Sequence, residues 1–414
     1  GNEYPPTHWF FQVIVYLLYD STGIKGLIIV KALWYSLIYL LFYLLLIKSD
    51  IHPWISFFFV FLAAVGSENR MAIRPQAISY MGFVLYFFIL VKYRKQENSA
   101  LIWALPFIGI IWSNMHAGVI FGIGLIWLFV CFEFVSKAIK INYCIKKSVS
   151  QKTIKILIII GILSSLATIV TPSGVKLHQY LFTHLNMPKK IEIKELQTPS
   201  FYYFRIFYFF IFFLIIISSI KYKKNDFIIL PIAIIFAIFS VKSLRLVPYF
   251  LFIAGFYNAY KINFLLKNSK FIQELPKKYS LSKNMIFLIP FLILAIFLTL
   301  FFKNRVTYKM KFEFDKIRFP VQAVKFLKKN PIPGRMYNSM GIGSYLMWAY
   351  PQKKLYIDGR VQVYNDVFKR DLRKVLEFEY NPMSKEFIEK EADKGIWFCI
   401  FKNTSFKDSL PRDK

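Results

Sequence analysis

Apolar runs of about the 20 residues that a helix needs to cross the hydrocarbon core of a bilayer recur along most of this chain. They predict roughly ten spans, at about 24–47, 51–66, 75–92, 101–113, 117–136, 153–171, 201–220, 226–240, 246–259 and 285–303. The runs at 101–113 and 246–259 are short and read as half-helices packed inside a bundle. An earlier segment, PTHWFFQVIVYLLY at 6–19, is too short and too aromatic for a span and reads as an interfacial helix.

The polar residues between these runs set the topology. Lysine and arginine cluster in KYRK at 92–95, KKSVSQKTIK at 146–155, KYKK at 221–224 and KNSKFIQELPKK at 267–278. Short basic loops stay on the cytoplasmic side, so 92–98, 137–155, 221–225 and 260–284 are expected there. The run 100–136 lies between two cytoplasmic loops and must turn back on itself near Ser113–Gly118. The loops SENRMAIRPQ at 67–76, 172–200 and SVKSLRLV at 240–247 then face outward, and the run at 285–303 exits outward.

Beyond about residue 304 the pattern changes. PVQAVKFLKKN at 320–330 reads as a helix with proline at its start; GSYLMWAY at 343–350 and NDVFKRDLRKVLEFE at 365–379 also read as helices. GRMYNSM at 334–340, KKLYIDGR at 353–360 and GIWFCIFKN at 395–403 read as strands. Alternating strands and helices point to a parallel sheet. The expected fold class is a polytopic α-helical membrane protein, residues 1–303, with a small extracytoplasmic α/β domain, residues 304–414. The expected location is the inner (plasma) membrane.

Composition adds two points. The net charge of +31 raises the question of a nucleic-acid partner. The lysines and arginines flank apolar runs, however, so the charge is assigned to topology and no nucleic acid is expected. Cys131, Cys144 and Cys399 are scattered and form neither a disulfide framework nor a zinc-ligand spacing. The chain starts at Gly1 with GNEYPPTHWF, which is no signal peptide, so an upstream segment with a first span is expected, residues 1–23 then being an outer loop.

The polar residues at membrane depth map to the outward side: Glu68, Arg70, Arg74 and Gln76, then Asn114 and His116, then His178, Glu192 and Glu195, then Arg245. Such groups face cavities or pathways by default. Each also has a structural explanation. Arg70 and Arg74 reach headgroups by snorkelling. Asn114 caps the second half of the hairpin, while Gly118 lets helices approach closely. His116 is either a satisfied structural histidine or an acid, base or phosphate ligand. Lys242 and Arg245 lie at a helix break, which suits an anionic ligand. Glu192 and Glu195 are either a solvated loop face or a base or metal ligand, and a divalent cation is left open. Asp358 and Arg360, in IDGR, fit a turn after a strand as well as a site. No P-loop, dinucleotide fingerprint, HExxH or GxSxG occurs, so nucleotide-driven transport and hydrolase chemistry have no motif here.

Several stretches taken in order resemble a known family: NRMAIRPQAISY (69–80), LPFIGIIWSNMHAGVIFGIG (105–124), TPSGVKLHQYLF (171–182) followed by IEIKELQTPS (191–200), SVKSLRLVPYF (240–250), GRMYNSMGIGSYLMW (334–348) and KLYIDGRVQVY just beyond it. They resemble bacterial multi-pass proteins that look like C-type glycosyltransferases, the superfamily of the dolichyl-phosphate-mannose–protein mannosyltransferases. The resemblance covers nearly the whole chain. It departs at His-Ala-Gly (116–118), where His-Gly-Gly is expected. It implies a polyprenyl-phosphate-linked sugar as donor, an envelope glycan or protein as acceptor, and chemistry at the outer face. It also implies a catalytic aspartate in the first outer loop, upstream of Gly1. Within this chain Glu68 and His116 are the catalytic candidates. Arg70, Arg74, Gln76, Asn114 and Arg245 are the donor-phosphate candidates, and His178, Glu192, Glu195, Asp358 and Arg360 are acceptor or loop candidates. A non-enzymatic envelope scaffold and an anionic-lipid transporter or flippase are the alternatives.

Overall fold

The computed structural model describes residues 8–97, 99–138, 149–176, 178–179, 197–201, 204–220, 226–268, 319–338, 340–356, 358 and 396–400. The chain divides into two compact units, one spanning Pro5–Tyr308 and the other built on Lys309–Lys414.

Helices dominate the first unit: α1 Trp9–Lys48, α2 Pro53–Gly66, α3 Gln76–Gln96, α4 Ala104–Met115, α5 Val119–Ala138, α6 Gln151–Ala167, α7 Arg205–Ser218, α8 Asp226–Lys242 and α9 Val247–Lys267. α1, α3 and α5 are long and apolar enough to cross a membrane; α2, α4, α7 and α8 are shorter apolar helices. Large apolar side chains stand exposed around the unit, Phe107 at 68%, Phe134 at 64% and Phe212 at 63% among them. An apolar exterior of this extent belongs in lipid, where each helix satisfies its own backbone groups.

Local chemistry explains several helix boundaries. α1 breaks at Gly23, whose φ of 63° is open to glycine without a Cβ penalty. The segment expected to be interfacial therefore ends where the expected first span begins. Pro53 opens α2 at a position where its missing N–H costs nothing. Ser150 caps α6, its Oγ accepting from the Thr153 N–H at 3.1 Å. Glu97 closes α3 in a left-handed conformation. Its carboxylate accepts from the Ser150 N–H at 3.2 Å and the Thr153 hydroxyl at 2.9 Å, fastening the end of α3 to the start of α6.

The hairpin expected within 100–136 is present as α4 and α5, turning at residues 116–118. α9 departs from expectation. It runs 21 residues to Lys267, not a half-helix ending near 259. Asn258 and Lys261 are fully buried in it, so they lower its hydropathy without ending the helix. α9 packs on α8, α2 and α7; α3 packs on α5, and α4 and α5 both pack on α6. The core between them is largely aromatic, with Phe83 and Tyr249 centroids 4.9 Å apart and Phe87 and Phe256 5.2 Å apart.

The second unit contains α10 Val321–Lys329, β1 Arg335–Asn338, α11 Met340–Ala349 and β2 Ile396–Ile400. β1 and β2 pair in parallel, Met336 opposite Phe398 and Asn338 opposite Ile400. Val324, Leu327, Met336, Ile342 and Leu346 form its small core. The strand expected at 353–360 is not one over its described residues. There the Tyr356 N–H donates to the Asn338 side chain at 3.0 Å instead of to a strand neighbour. The helix expected at 365–379 lies outside the described residues.

Candidate functional site

Of the polar residues singled out by sequence, Arg70, Arg74, Gln76, Asn114, His116 and Arg245 gather at one end of the helical unit. The centre of the cluster is the turn between α4 and α5. Ser79 on α3 lies 2.5 Å from His116 Nδ1, and Trp112 Nε1 donates to the same Ser79 oxygen at 2.8 Å. The Gly118 N–H donates to His116 Nδ1 at 3.1 Å. A backbone N–H is only a donor, so Nδ1 is the unprotonated nitrogen and the neutral ring carries its proton on Nε2. The His8 ring stacks on His116 with centroids 5.1 Å apart. Burial first, then the neighbouring His8 and Arg245, hold the imidazole well below the usual histidine range. His116 is therefore a neutral hydrogen-bond donor at physiological pH.

Two glycines allow the Trp112 indole to sit where it does. A Cβ at Gly82 on α3 would meet the ring at 2.5 Å, and one at Gly122 on α5 would do the same. A Cβ at Gly118 would collide with the Ser79 hydroxyl and lie 2.6 Å from His116 Nδ1. Trp112 itself is 1% exposed.

Asn114 is fully engaged. Its Oδ1 accepts from Trp9 Nε1 at 3.0 Å, and its Nδ2 donates to the carbonyls of Ile110 at 2.9 Å and Val170 at 2.7 Å. It braces α1, α4 and the chain leaving α6, and none of these bonds caps α5.

The arginines converge on Tyr80. Arg70, in the short 3-10 turn Glu68–Arg70, lies within electrostatic reach of the buried Tyr80 hydroxyl, as do Arg74 and Arg245. Arg245 also reaches His116. The Tyr80 hydroxyl faces the Arg70 guanidinium, and the Gln76 side-chain carbonyl oxygen is buried without a hydrogen-bond partner among the described residues. Tyr35 OH donates toward the carbonyls of Arg70 and Ala72, both at 3.1 Å, and Trp34 Nε1 donates to Ala77 O at 3.1 Å, so α1 fixes the loop that carries Arg70 and Arg74. The Leu244 N–H donates to Gln197 O at 3.1 Å, which places the Arg245 turn beside the chain entering α7. The arrangement is a basic cluster in which the guanidinium groups and the Tyr80 hydroxyl can donate hydrogen bonds, suited to a phosphate or comparable anion.

Other candidates fall elsewhere. Glu68 is exposed in the turn beside Arg70. His178 Nε2 lies 2.9 Å from Thr168 Oγ1, just past α6. Lys242 is exposed at the end of α8. Asp358 is fully buried, but it belongs to the second unit. Glu192, Glu195 and Arg360 lie outside the described residues. No three His, Cys, Asp or Glu among the described residues gather closely enough to hold a metal ion. Sequence reasoning missed Ser79, Tyr80, Trp112 and His8. Ser79 was visible in principle as a serine inside an apolar run, but its partners lie 33 and 37 residues away.

The long apolar helices and their lipid-type exterior define a helical membrane protein. Within that class no known family model and no curated protein matches the chain.

Proposed function

We propose that this protein is a multi-pass enzyme of the inner membrane that binds a polyprenyl-phosphate-linked sugar at the His116 end and transfers the sugar to an envelope acceptor. In this reading about ten spans carry the site, the His116 end faces outward, and residues 304–414 form an extracytoplasmic α/β domain that receives the acceptor. The observation that carries the reading is the convergence of Arg70, Arg74 and Arg245 on the Tyr80 hydroxyl, next to the neutral His116. The reaction class comes from the family resemblance of the motifs that build this cluster.

The chemistry balances without an internal energy source. An acceptor hydroxyl attacks the anomeric carbon, and the bond from that carbon to the phosphate oxygen breaks. The polyprenyl phosphate leaves with the electron pair. Its growing charge is stabilised by the three guanidinium groups and by the Tyr80 hydroxyl. His116 adds an Nε2–H hydrogen bond and is not the base. A carboxylate takes the acceptor proton; Glu68, exposed in the turn beside Arg70, is a carboxylate placed to do so.

The test is native mass spectrometry of the full-length protein in mild detergent, supplied with polyprenyl-phosphate sugar. Wild type should retain one lipid-linked sugar, and Arg245→Gln and Tyr80→Phe should each lose it by about tenfold or more. Equal retention in both variants, or none in wild type, overturns the proposal.

A further inference from the structure

At the opposite end of the helical unit, α1 and α3 enclose a cleft of about 180 Å³. A single water needs only ~10–15 Å³ of such space, so the cleft has room for a phosphate group with some of its substituents. Leu45, Phe88 and Val91 form its apolar wall, and Lys48, Lys92 and Lys95 form its basic rim. Lys95 is braced: its ammonium pairs with Asp50 at 2.5 Å and donates to Lys48 O at 3.2 Å. Lys48 and Lys92 have no carboxylate partner among the described residues, and Lys92 is half-buried.

A second feature leads into this cleft. Leu33, Leu37, Leu40 and Leu44 of α1 are exposed at 65%, 44%, 51% and 38%. Their spacing of four, three and four residues puts them in one row along the helix, and four residues further on the row ends at Lys48. Leu33 to Leu44 covers 11 residues, about 16 Å at the helical rise of ~1.5 Å per residue. That is close to half of a ~30 Å hydrocarbon core, the depth of one leaflet. A basic cleft at the end of a leaflet-length apolar track has the shape and polarity of one anionic phospholipid. Basic pockets between membrane helices bind such headgroups.

We propose that the cleft between α1 and α3 is a specific site for an anionic phospholipid, its phosphate held by Lys48 and Lys92 and an acyl chain lying on Leu33–Leu37–Leu40–Leu44. The lysines also complement the helix C-termini of α1 and α3, a role any lysine near those ends would fill. The half-buried setting of Lys92 and the alignment with the leucine row are what a dipole role alone does not require.

The experiment uses the full chain in nanodiscs of phosphatidylcholine doped with phosphatidylglycerol, followed by stepwise delipidation and native mass spectrometry. Wild type should retain one phosphatidylglycerol in at least tenfold preference over phosphatidylcholine. Lys48→Gln/Lys92→Gln should abolish the preference, and Lys48→Arg/Lys92→Arg should restore it in a folded protein. Lys152→Gln/Lys155→Gln, an equal charge loss on α6 at the same end, should leave it intact. Retention unchanged in Lys48→Gln/Lys92→Gln, or a loss that is as large in the α6 variant, overturns the site. Displacement of the lipid by millimolar inorganic phosphate does so too, because it would mean that the acyl track adds nothing. Binding of polyprenyl-phosphate sugar is read in the same spectra as a separate mass, so failure of one proposal is distinguishable from failure of the other.

Discussion

Ser79 on α3 and His116 in the α4–α5 turn meet at 2.5 Å, hydroxyl oxygen to Nδ1, and this contact joins the hairpin to the neighbouring helix. Trp112 donates into it through the Ser79 oxygen, and Gly118 donates into it at the ring nitrogen. The histidine is thereby fixed in one tautomer with its remaining N–H on the opposite side of the ring.

The protonation state of His116 follows and is testable. Its folded pKa lies well below the ordinary value of ~6.5, chiefly because of burial, so the native state binds fewer protons than the unfolded chain. The stabilisation this provides is complete above about pH 6.5 and is lost as pH falls from there toward the folded pKa. Nitrogen NMR of selectively labelled histidine should show one of the five histidines neutral, protonated on Nε2, at pH 6. His116→Gln should flatten the fall in thermal stability between pH 7 and pH 5. An imidazolium signal assigned to His116 at pH 6.5 would reject the assignment.

Space around Trp112 yields a prediction with an internal control. Gly82→Ala and Gly122→Ala each drive a methyl group into the indole, and Gly118→Ala drives one into the Ser79–His116 contact. Overpacking of this kind costs about 1–3 kcal/mol. Gly124, two residues beyond Gly122 on the same helix, has nothing within 4 Å of its would-be Cβ. Gly124→Ala should therefore be neutral, or stabilising by up to about 1 kcal/mol through helix propensity. Thermal unfolding followed by tryptophan fluorescence reads all four, and similar losses in all of them would contradict the packing argument.

Asn114 offers a coupling measurement. Trp9→Phe removes one hydrogen bond of the three that Asn114 makes, about 1 kcal/mol. Asn114→Ala removes all three and leaves the Val170 carbonyl without that donor, about 2–3 kcal/mol. The double variant should be less destabilised than the sum, since the Trp9 bond is then counted once. Limited proteolysis should also cut near the start of α1 more readily in Trp9→Phe. Strict additivity would mean that the Trp9–Asn114 bond does not form in the membrane.

The α4–α5 hairpin was legible from sequence because basic loops on either side force an even number of crossings. The break at Gly23 was legible as well, where a short aromatic run gives way to a longer aliphatic one. α9 was misjudged because Asn258 and Lys261 look like an interface residue and a loop residue, yet both are buried in the bundle. Hydropathy cannot tell a polar residue facing a neighbouring helix from one facing water. The gathering of Arg70, Arg74, His116 and Arg245 at one end followed from topology. Their convergence on Tyr80 did not, because it depends on how α1 holds the 70–72 backbone. Asn114 read as a cap from its local sequence, while two of its three partners lie 105 and 56 residues away.

Arg94 on α3 and Glu133 on α5 form an ion pair at the end opposite His116, with the glutamate side chain 3% exposed. Desolvating both charges offsets most of their attraction, so the pair itself adds little net stability. Breaking it is another matter. Arg94→Met leaves a buried carboxylate without this cation and should lower stability by about 3–5 kcal/mol at neutral pH. Arg94→Met/Glu133→Met replaces both charges with apolar volume and should be far less destabilised than either single variant, a coupling well above 1 kcal/mol. Thermal unfolding of the four proteins in detergent, using the eight tryptophans as reporters, measures the cycle. A double variant as unstable as the sum of the singles would show that the two residues act independently, Arg94 through some other contact and Glu133 through its packing alone.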